Sequence, residues 1–417
     1  MSIAGVSLGG TETSLMSGSN TQFDLSSVDP LQFPMLRLKL LVADDLTLTP
    51  VQLKRWLVSY TPVAEGLLFY AGTSTPVSLQ EGQTWSGQWG FTNLSTKAFA
   101  DSLRVQLTLL NSSTRRSDHQ TFRIQAPAPS DTTLFVTSSN TKGRVGDNDV
   151  QVVVNPQILA EQYYENNQID LPSYLHVDRY ANQPVLDVLF DGRYILDGEI
   201  VSPDPAITIR LKDGNRYLFK TDTTGMSLFL TSPGTVVATP VYFRRADVKW
   251  FPASTQSDFR IEFNPKSLAD GIHTLQVKLS DASGNTTGSQ PFTSRFEVVN
   301  ESAITNFYPY PNPFSTHTRF VFTLTGTQVP DQIRIQIMTV SGKVVREITQ
   351  DELGPVHVGN NISNYAWDGR DEFGDQLANG VYLYRVVVKS NGSDLGRRSS
   401  AGDKGFEKGY GKLYLLR

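Results

Sequence analysis

Apolar side chains recur at every second position through most of this chain, and that period limits its fold more than any other feature. Phe320, Phe322 and Leu324 alternate with Arg319, Val321 and Thr323, and Ile333, Ile335 and Ile337 alternate with Arg334, Gln336 and Met338. A period of two turns one face of a strand to a core and the other to water. The pattern returns at Leu103, Val105, Leu107 and Leu109, at Phe259–Phe263, and at Leu275, Val277 and Leu279. Further strands are expected at Leu36–Val42, Thr121–Gln125, Val150–Val154, Val185–Phe190, Ala206–Leu211, Tyr217–Lys220, Ser227–Leu230 and Val381–Lys389. Ser341-Gly342 and Asp213-Gly214 fall between such runs and read as hairpin turns. Around Trp56 the pattern is ambiguous. Thr49-Pro50 is suited to capping a short helical turn, while Trp56, Val58 and Tyr60 alternate as a strand.

Composition supports an all-β reading and removes several chemistries. With 417 residues there is chain for about two to four domains. The 32 glycines, 22 prolines and short apolar runs suit sandwiches rather than helices. A net charge of −4 gives no electrostatic reason to bind nucleic acid or an anionic membrane. There is no cysteine, so disulfides, thiol catalysis and thiolate metal sites are excluded. No apolar run is long enough to form a transmembrane helix. Met1–Asn20 is rich in Gly, Ser and Thr and lacks a basic-then-apolar export signal.

The last quarter carries the most specific residues. They are Tyr308-Pro309-Tyr310-Pro311-Asn312-Pro313-Phe314, then Val340-Ser341-Gly342-Lys343-Val344-Val345, then Trp367-Asp368-Gly369-Arg370-Asp371. Ala378-Asn379-Gly380-Val381-Tyr382 and a closing Lys412-Leu413-Tyr414-Leu415-Leu416-Arg417 follow. In this order they resemble the C-terminal sorting domains of type IX secretion cargo. They are also similar to the Ig-like domain of flagellar hook-capping proteins. The resemblance covers residues 304–417 and implies an Ig-like sandwich recognised by the outer-membrane export machinery of a Gram-negative bacterium. The sorting motif would then comprise Tyr308, Pro311, Asn312, Pro313, Phe314, Gly342, Trp367, Asp368, Gly369, Asn379, Gly380, Tyr382, Lys412 and Leu413. The polar insert Ser390–Gly411 departs from the family pattern by its length, which leaves the sorting subtype open. If the resemblance holds, an exported chain with no signal segment is expected to be the C-terminal region of a longer protein.

Two upstream stretches carry weaker resemblances. Asn155-Pro156-Gln157-Ile158-Leu159-Ala160-Glu161-Gln162-Tyr163-Tyr164-Glu165-Asn166-Asn167 resembles the closing signature of CARDB-like adhesion domains. Phe91-Thr92-Asn93-Leu94-Ser95 fits that family's turn with Ser95 in place of Gly. Asp270-Gly271-Ile272-His273 with Ser280-Asp281-Ala282-Ser283-Gly284-Asn285 is similar to the last strands of bacterial Ig-like repeats. The expected organisation is a flexible lead at 1–30, remnant strands of a truncated sandwich at 31–60, and a CARDB-like Ig-like domain at 61–167. An Ig-like sandwich at 168–303 and the sorting domain at 304–417 complete it. The fold class is therefore tandem Ig-like antiparallel β-sandwiches.

Catalytic constellations are not visible. The five histidines (His119, His176, His273, His317, His357) are scattered without metal-ligand spacing. No Gly-x-Ser-x-Gly elbow or phosphate-cradling loop occurs. Asp368, Asp371, Glu372 and Asp375 are hard oxygen ligands of the kind calcium takes. Their spacing departs from the calcium-loop pattern, and turn chemistry accounts for them without a metal. Asp147-Asn148-Asp149 and Asp281 with Asn285 read as turns whose side chains bond locally. Trp85 and Trp89 share a strand face with Phe91, which suits either a sandwich core or a sugar-binding platform. Arg397, Arg398, Lys404, Lys408 and Lys412 make the tail basic, as a solvated loop. The expectation is a non-catalytic chain without a cofactor, secreted or held on the outer cell surface. Its terminal domain would direct export, and its sandwiches would act as spacers or touch surface glycans or other cells. Two alternatives stand: an accessory region of a gingipain-type cysteine peptidase whose catalytic domain lies upstream, or a carbohydrate-binding module.

Overall fold

The computed structural model describes residues 1–49, 52–390, 392–397, 406, 407 and 409–417. The chain divides into two compact units, Met1–Pro62 and Val63–Arg417. The first holds one sheet of three strands, β1 (Ser2–Val6), β2 (Glu12–Ser17) and β3 (Met35–Lys39), in the order β2-β1-β3. Composition had suggested an unstructured lead here. Instead, Ile3 is buried and Gly5 lies close under the Phe33 ring, so a small face is packed. Residues 52–60 form no strand, which removes the expected Trp56–Tyr60 run, and Pro50 and Val51 of the expected helical turn lie outside the described residues.

In the second unit, strands stack as three successive pairs of sheets, each pair around its own apolar cluster. The first pair is built from β4 (Gly66–Tyr70), β5 (Val77–Gln80), β6 (Thr84–Asn93), β7 (Leu103–Asn111), β8 (Ser117–Ile124), β9 (Thr132–Asn140), β10 (Gly146–Val154) and β11 (Gln168–Asp178). Its sheets run β4-β6-β9 and β5-β11-β10-β7-β8. Because β11 pairs with β10 along its length, this sandwich continues to Asp178 rather than closing at Asn167. The Asn155–Asn167 segment joins two neighbouring strands instead of ending a domain. The Asn155 carboxamide oxygen accepts from the Leu159 amide at 2.8 Å, and the Glu161 carboxylate accepts from Gly66 N–H at 2.8 Å and from Asn167 Nδ2 at 2.8 Å. At the Asn93 turn, the Ser95 amide and hydroxyl donate to Asn93 Oδ1 at 3.0 and 2.8 Å, a closure that needs no glycine.

The next pair comprises β12 (Val185–Phe190), β13 (Glu199–Val201), β14 (Ile207–Lys212), β15 (Ser227–Thr231), β16 (Thr239–Pro240), β17 (Val248–Phe251), β18 (Phe259–Phe263), β19 (Gly271–Lys278) and β20 (Phe292–Val298). Its sheets are β12-β14-β18-β17 and β13-β20-β19-β15-β16. The expected strand Tyr217–Lys220 is not formed, so Asp213-Gly214 is not a hairpin between strands. The Asn215 carboxamide oxygen instead accepts the Tyr217 and Leu218 amides at 2.9 and 3.1 Å, removing the donors a ladder would need.

The last pair holds β21 (Ala303–Tyr310), β22 (Arg319–Thr325), β23 (Gln332–Thr339), β24 (Val344–Ile348), the short helix α1 (Gln350–Leu353), β25 (Gly359–Ile362) and β26 (Gly380–Ser390). The strands β27 (Ser393–Asp394), β28 (Gly396–Arg397), β29 (Phe406–Glu407) and β30 (Tyr410–Leu415) complete it. The sheets are β25-β22-β21-β28 and β24-β23-β26-β30-β29, with β27 on β26. Phe307 and Phe320 of one sheet meet Tyr384 of the other at ring separations of 5.7 and 5.5 Å, within a cluster that includes Trp367, Leu413 and Leu415. Strands with one buried and one open face, packed as sheet on sheet, are the Ig-like all-β architecture. Among the described residues, parallel pairing enters at edge strands β5, β13 and β28 and at the single bridges Ala64↔Glu161 and Phe314↔Leu415.

Candidate functional site

Most of the motif residues singled out in the last quarter converge on the last strand, and two of them, Asn312 and Asn379, imitate a neighbouring strand. On one side β30 is paired with β26 from Gly411 to Leu415. On the other, Asn312 Oδ1 accepts the Tyr414 amide at 2.9 Å while its Nδ2 donates to the Lys412 carbonyl at 3.0 Å. A carboxamide offers one acceptor and two donors, so it can replace a peptide unit at a sheet edge. Two residues on, Phe314 N–H donates to Tyr414 O at 3.0 Å and Leu416 N–H donates to Phe314 O at 2.9 Å. Asn379 repeats the device at the terminus: Arg417 N–H donates to its Oδ1 at 2.9 Å and its Nδ2 donates to Arg417 O at 3.1 Å.

Around this clip several other motif residues serve as supports. Trp367 is fully buried, donates through Nε1 to Arg370 O at 2.8 Å, and packs against the rings of Phe314 at 5.5 Å and Tyr382 at 6.0 Å. Burial of the Tyr382 phenol raises its pKa, and its hydroxyl donates to Ala378 O at 2.7 Å. Arg417 reaches back to the Asp368 and Leu377 carbonyls at 2.5 and 3.3 Å. Gly369 stands at φ +76, and a Cβ there would fall 2.8 Å from Arg417 Nη2 and 3.0 Å from Leu415 Cδ2. Leu413 is buried and Lys412 faces water. Gly380 opens β26, while Gly342, at φ +90, closes the β23–β24 hairpin. Tyr308 lies on the outward face of β21 opposite Val321, away from the clip contacts.

Neither the entry to this domain nor its last strand is left open. Tyr308-Pro309-Tyr310 is not an unpaired approach, since it pairs with Val321, Phe320 and Arg319 of β22. Nor is the last strand an open edge: β26 holds one side, and on the other β29 pairs with Tyr410 and Gly411 while Asn312 and Phe314 bond Lys412, Tyr414 and Leu416. What the clip displays is side chains: Lys412 beside Leu383, and Tyr414 beside Val381, on the outer face of the larger sheet.

The remaining candidates resolve into local structure. Asp371 Oδ1 accepts the Phe373 and Asp375 amides at 3.0 and 2.9 Å, Glu372 pairs with Arg346 at 3.0 Å, and Asp368 pairs with Arg370 at 3.2 Å. These bonds tie Asp368, Asp371 and Asp375 into a turn, and among the described residues no three acidic or imidazole groups converge on a common centre. Trp85 and Trp89 are buried in the second-unit core rather than offered to a sugar. The Trp89 indole donates to Thr137 Oγ1 at 2.9 Å and its ring lies 4.6 Å from that of Tyr70. Asp281 accepts from the Asn285 amide at 2.7 Å, the local bonding expected of a turn. His176, beside Asp147 at 2.7 Å, has its pKa raised by that contact. Arg398, Lys404 and Lys408 lie outside the described residues. Nothing in the sequence pointed to the pairing of Asn312 and Asn379 with the last strand, beyond their places in the motifs.

No family model and no curated protein sequence matches the chain. Solved structures that it resembles include latent PorU from Porphyromonas gingivalis, at 15% identity and a TM-score of 0.23, over 85% of this chain and 34% of that one. The chain thus spans about a third of the length of that protein. A CARDB domain from Pyrococcus furiosus is 11% identical with a TM-score of 0.23, over 28% of this chain and 98% of that one. A titin fragment is 9% identical with a TM-score of 0.25, over 80% and 96%.

Proposed function

We propose that this chain is a non-catalytic region of a secreted or surface protein, in which residues 304–417 are the address read by a type IX export machinery and the sandwiches before them hold or touch other surfaces. The observation that carries the reading is the clip. Motif residues from Asn312 to Arg417, far apart in sequence, meet around one strand and leave Lys412 and Tyr414 displayed beside it. With both sides of β30 occupied, recognition rests on the displayed side chains of a folded domain rather than on strand addition.

The test is export of the chain, supplied with a signal segment, from a bacterium that has a type IX system. Lys412→Ala and Tyr414→Ala together are expected to leave the circular dichroism spectrum unchanged and strand the protein in the periplasm. Export of that folded double variant at the parent's rate would remove the role assigned to this face. Retention of the unaltered chain would remove the function itself.

A further inference from the structure

We infer that the second-unit sandwich nearest Val63 is a self-association module, in which β9 of one copy pairs antiparallel with β9 of another. This goes beyond the export reading and rests on different residues. The strand ends the sheet β4-β6-β9, and all of its pairing, from Thr132↔Thr92 to Asn140↔Thr84, is directed to β6. Among the described residues, the backbone groups of 133–139 make no hydrogen bond outside that ladder. The opposite edge offers the outward-facing donors and acceptors of alternate residues across 133–139, a span of about 20 Å.

Edges are ordinarily closed by charge, proline, bulges or brevity. Thr132-Thr133-Leu134-Phe135-Val136-Thr137-Ser138-Ser139-Asn140 contains no acidic, basic or proline residue, and its register with β6 is unbroken. Other edges in this molecule are protected. β8 carries Asp118, His119 and Arg123, β12 carries Asp187, β17 carries Lys249, β24 carries Arg346 and Glu347, and β4 and β25 are short. Protection is missing at β9 alone among the long edges of the described residues.

The face beside the edge is apolar as well. Leu134 and Val136 are 72% and 56% exposed. Leu134 sits opposite Gly90, over which the Phe69 ring lies so closely that a Cβ there would be 2.2 Å from Phe69 Cζ. Phe69, Gly90 and Leu134 therefore make one continuous strip, flanked by Val136 and by Leu67.

A free backbone edge selects an extended partner, and the partner with matching chemistry is the same strand. Antiparallel pairing about a two-fold axis presents the same patch from both sides. Since β9 has no charge, the second copy brings no like-charge repulsion. It sets Leu134 and Val136 of one chain against those of the other, so that the two apolar strips join across a continuous sheet.

The test uses the full chain in sedimentation-velocity runs over a range of concentrations, with Val136→Lys and, as control, Thr121→Lys on the exposed face of β8. The unaltered chain and T121K are expected to self-associate with rising concentration. V136K, folded by circular dichroism, should associate at least about tenfold more weakly, because like charges would face each other across the two-fold axis. A unaltered chain that stays monomeric throughout, or a V136K chain that associates as the parent does, overturns the inference.

Discussion

Asn312 and Asn379 each spend one carboxamide on two backbone groups of the terminal segment, so each is worth more than its single side chain suggests. Removing either leaves strand groups without partners at the sheet margin, at a cost of about 1–2 kcal/mol. Asn312→Ala and Asn379→Ala are each expected to lower the urea midpoint. Faster hydrogen exchange confined to the amides of residues 410–417 would show that the loss is local, and uniform exchange across the chain would contradict the clip. Glu161 makes the opposite kind of statement. Three hydrogen bonds from Asn155, Asn167 and Gly66 favour its charged form, yet burial outweighs them and its pKa is raised above 4.5. A carboxyl with a raised folded-state pKa binds its proton more tightly in the folded chain. Its contribution is therefore full below 4.5 and is lost as pH rises through the raised value. Glu161→Gln should flatten that part of the urea-midpoint profile. A slope that persists in the variant would mean another group carries it.

At the scale of strands, the period-two signal found β7, β18, β22 and β23, each paired along its length, but it did not find β9 or β20, which are paired as fully. It failed where side chains competed for backbone groups. Tyr217–Lys220 alternates acceptably, but Asn215 takes the amides a ladder would have used. It failed also where pairing partners were remote, since nothing local in Ser2–Val6 reveals that Met35–Lys39 lies beside it. The clip was legible as a set of residue types in order, but its geometry was not. Sequence shows that Asn312 is flanked by prolines, not that its carboxamide faces a strand a hundred residues later. Trp85 and Trp89 were ambiguous for a related reason, because a strand face looks the same whether it meets a sugar or a second sheet. Their burial decides it. Trp89→Ala is expected to cost about 3–5 kcal/mol in a denaturation experiment, the range for a large core ring. A cost below ~1 kcal/mol would show that the indole is not a core element.

The middle and last sandwiches of the second unit have separate cores and meet through a polar joint. Arg193, just before β13, pairs with Glu199 at 2.6 Å and donates through Nη2 to Val358 O at 3.0 Å, so it ties the middle sandwich of the second unit to the loop that enters β25. Gly359 stands at φ +106 with Ile200 O only 2.5 Å from where a Cβ would sit, so the backbones approach as closely as glycine permits. His357 is half-buried in the same loop, facing Arg193, Glu199 and Asp191. Burial first, then the Arg193 charge, lowers its pKa below 6.5. A histidine whose folded-state pKa is lowered binds protons less readily than the unfolded chain does. The joint is therefore at full strength above 6.5 and weakens as pH falls below that value, because protonation sets a second cation beside Arg193. His176 titrates in the opposite sense, its raised pKa adding stability that disappears as pH rises, so the profile of the parent chain mixes the two. The difference between the parent and His357→Gln isolates the joint. That variant should lose less stability on acidification, and Arg193→Ala should loosen the two sandwiches at neutral pH, read as a larger radius of gyration by solution scattering. If His357→Gln and the parent lose stability in parallel as pH falls, the joint is not what acid loosens, and the two sandwiches are held by contacts other than Arg193, Glu199 and the 357–359 loop.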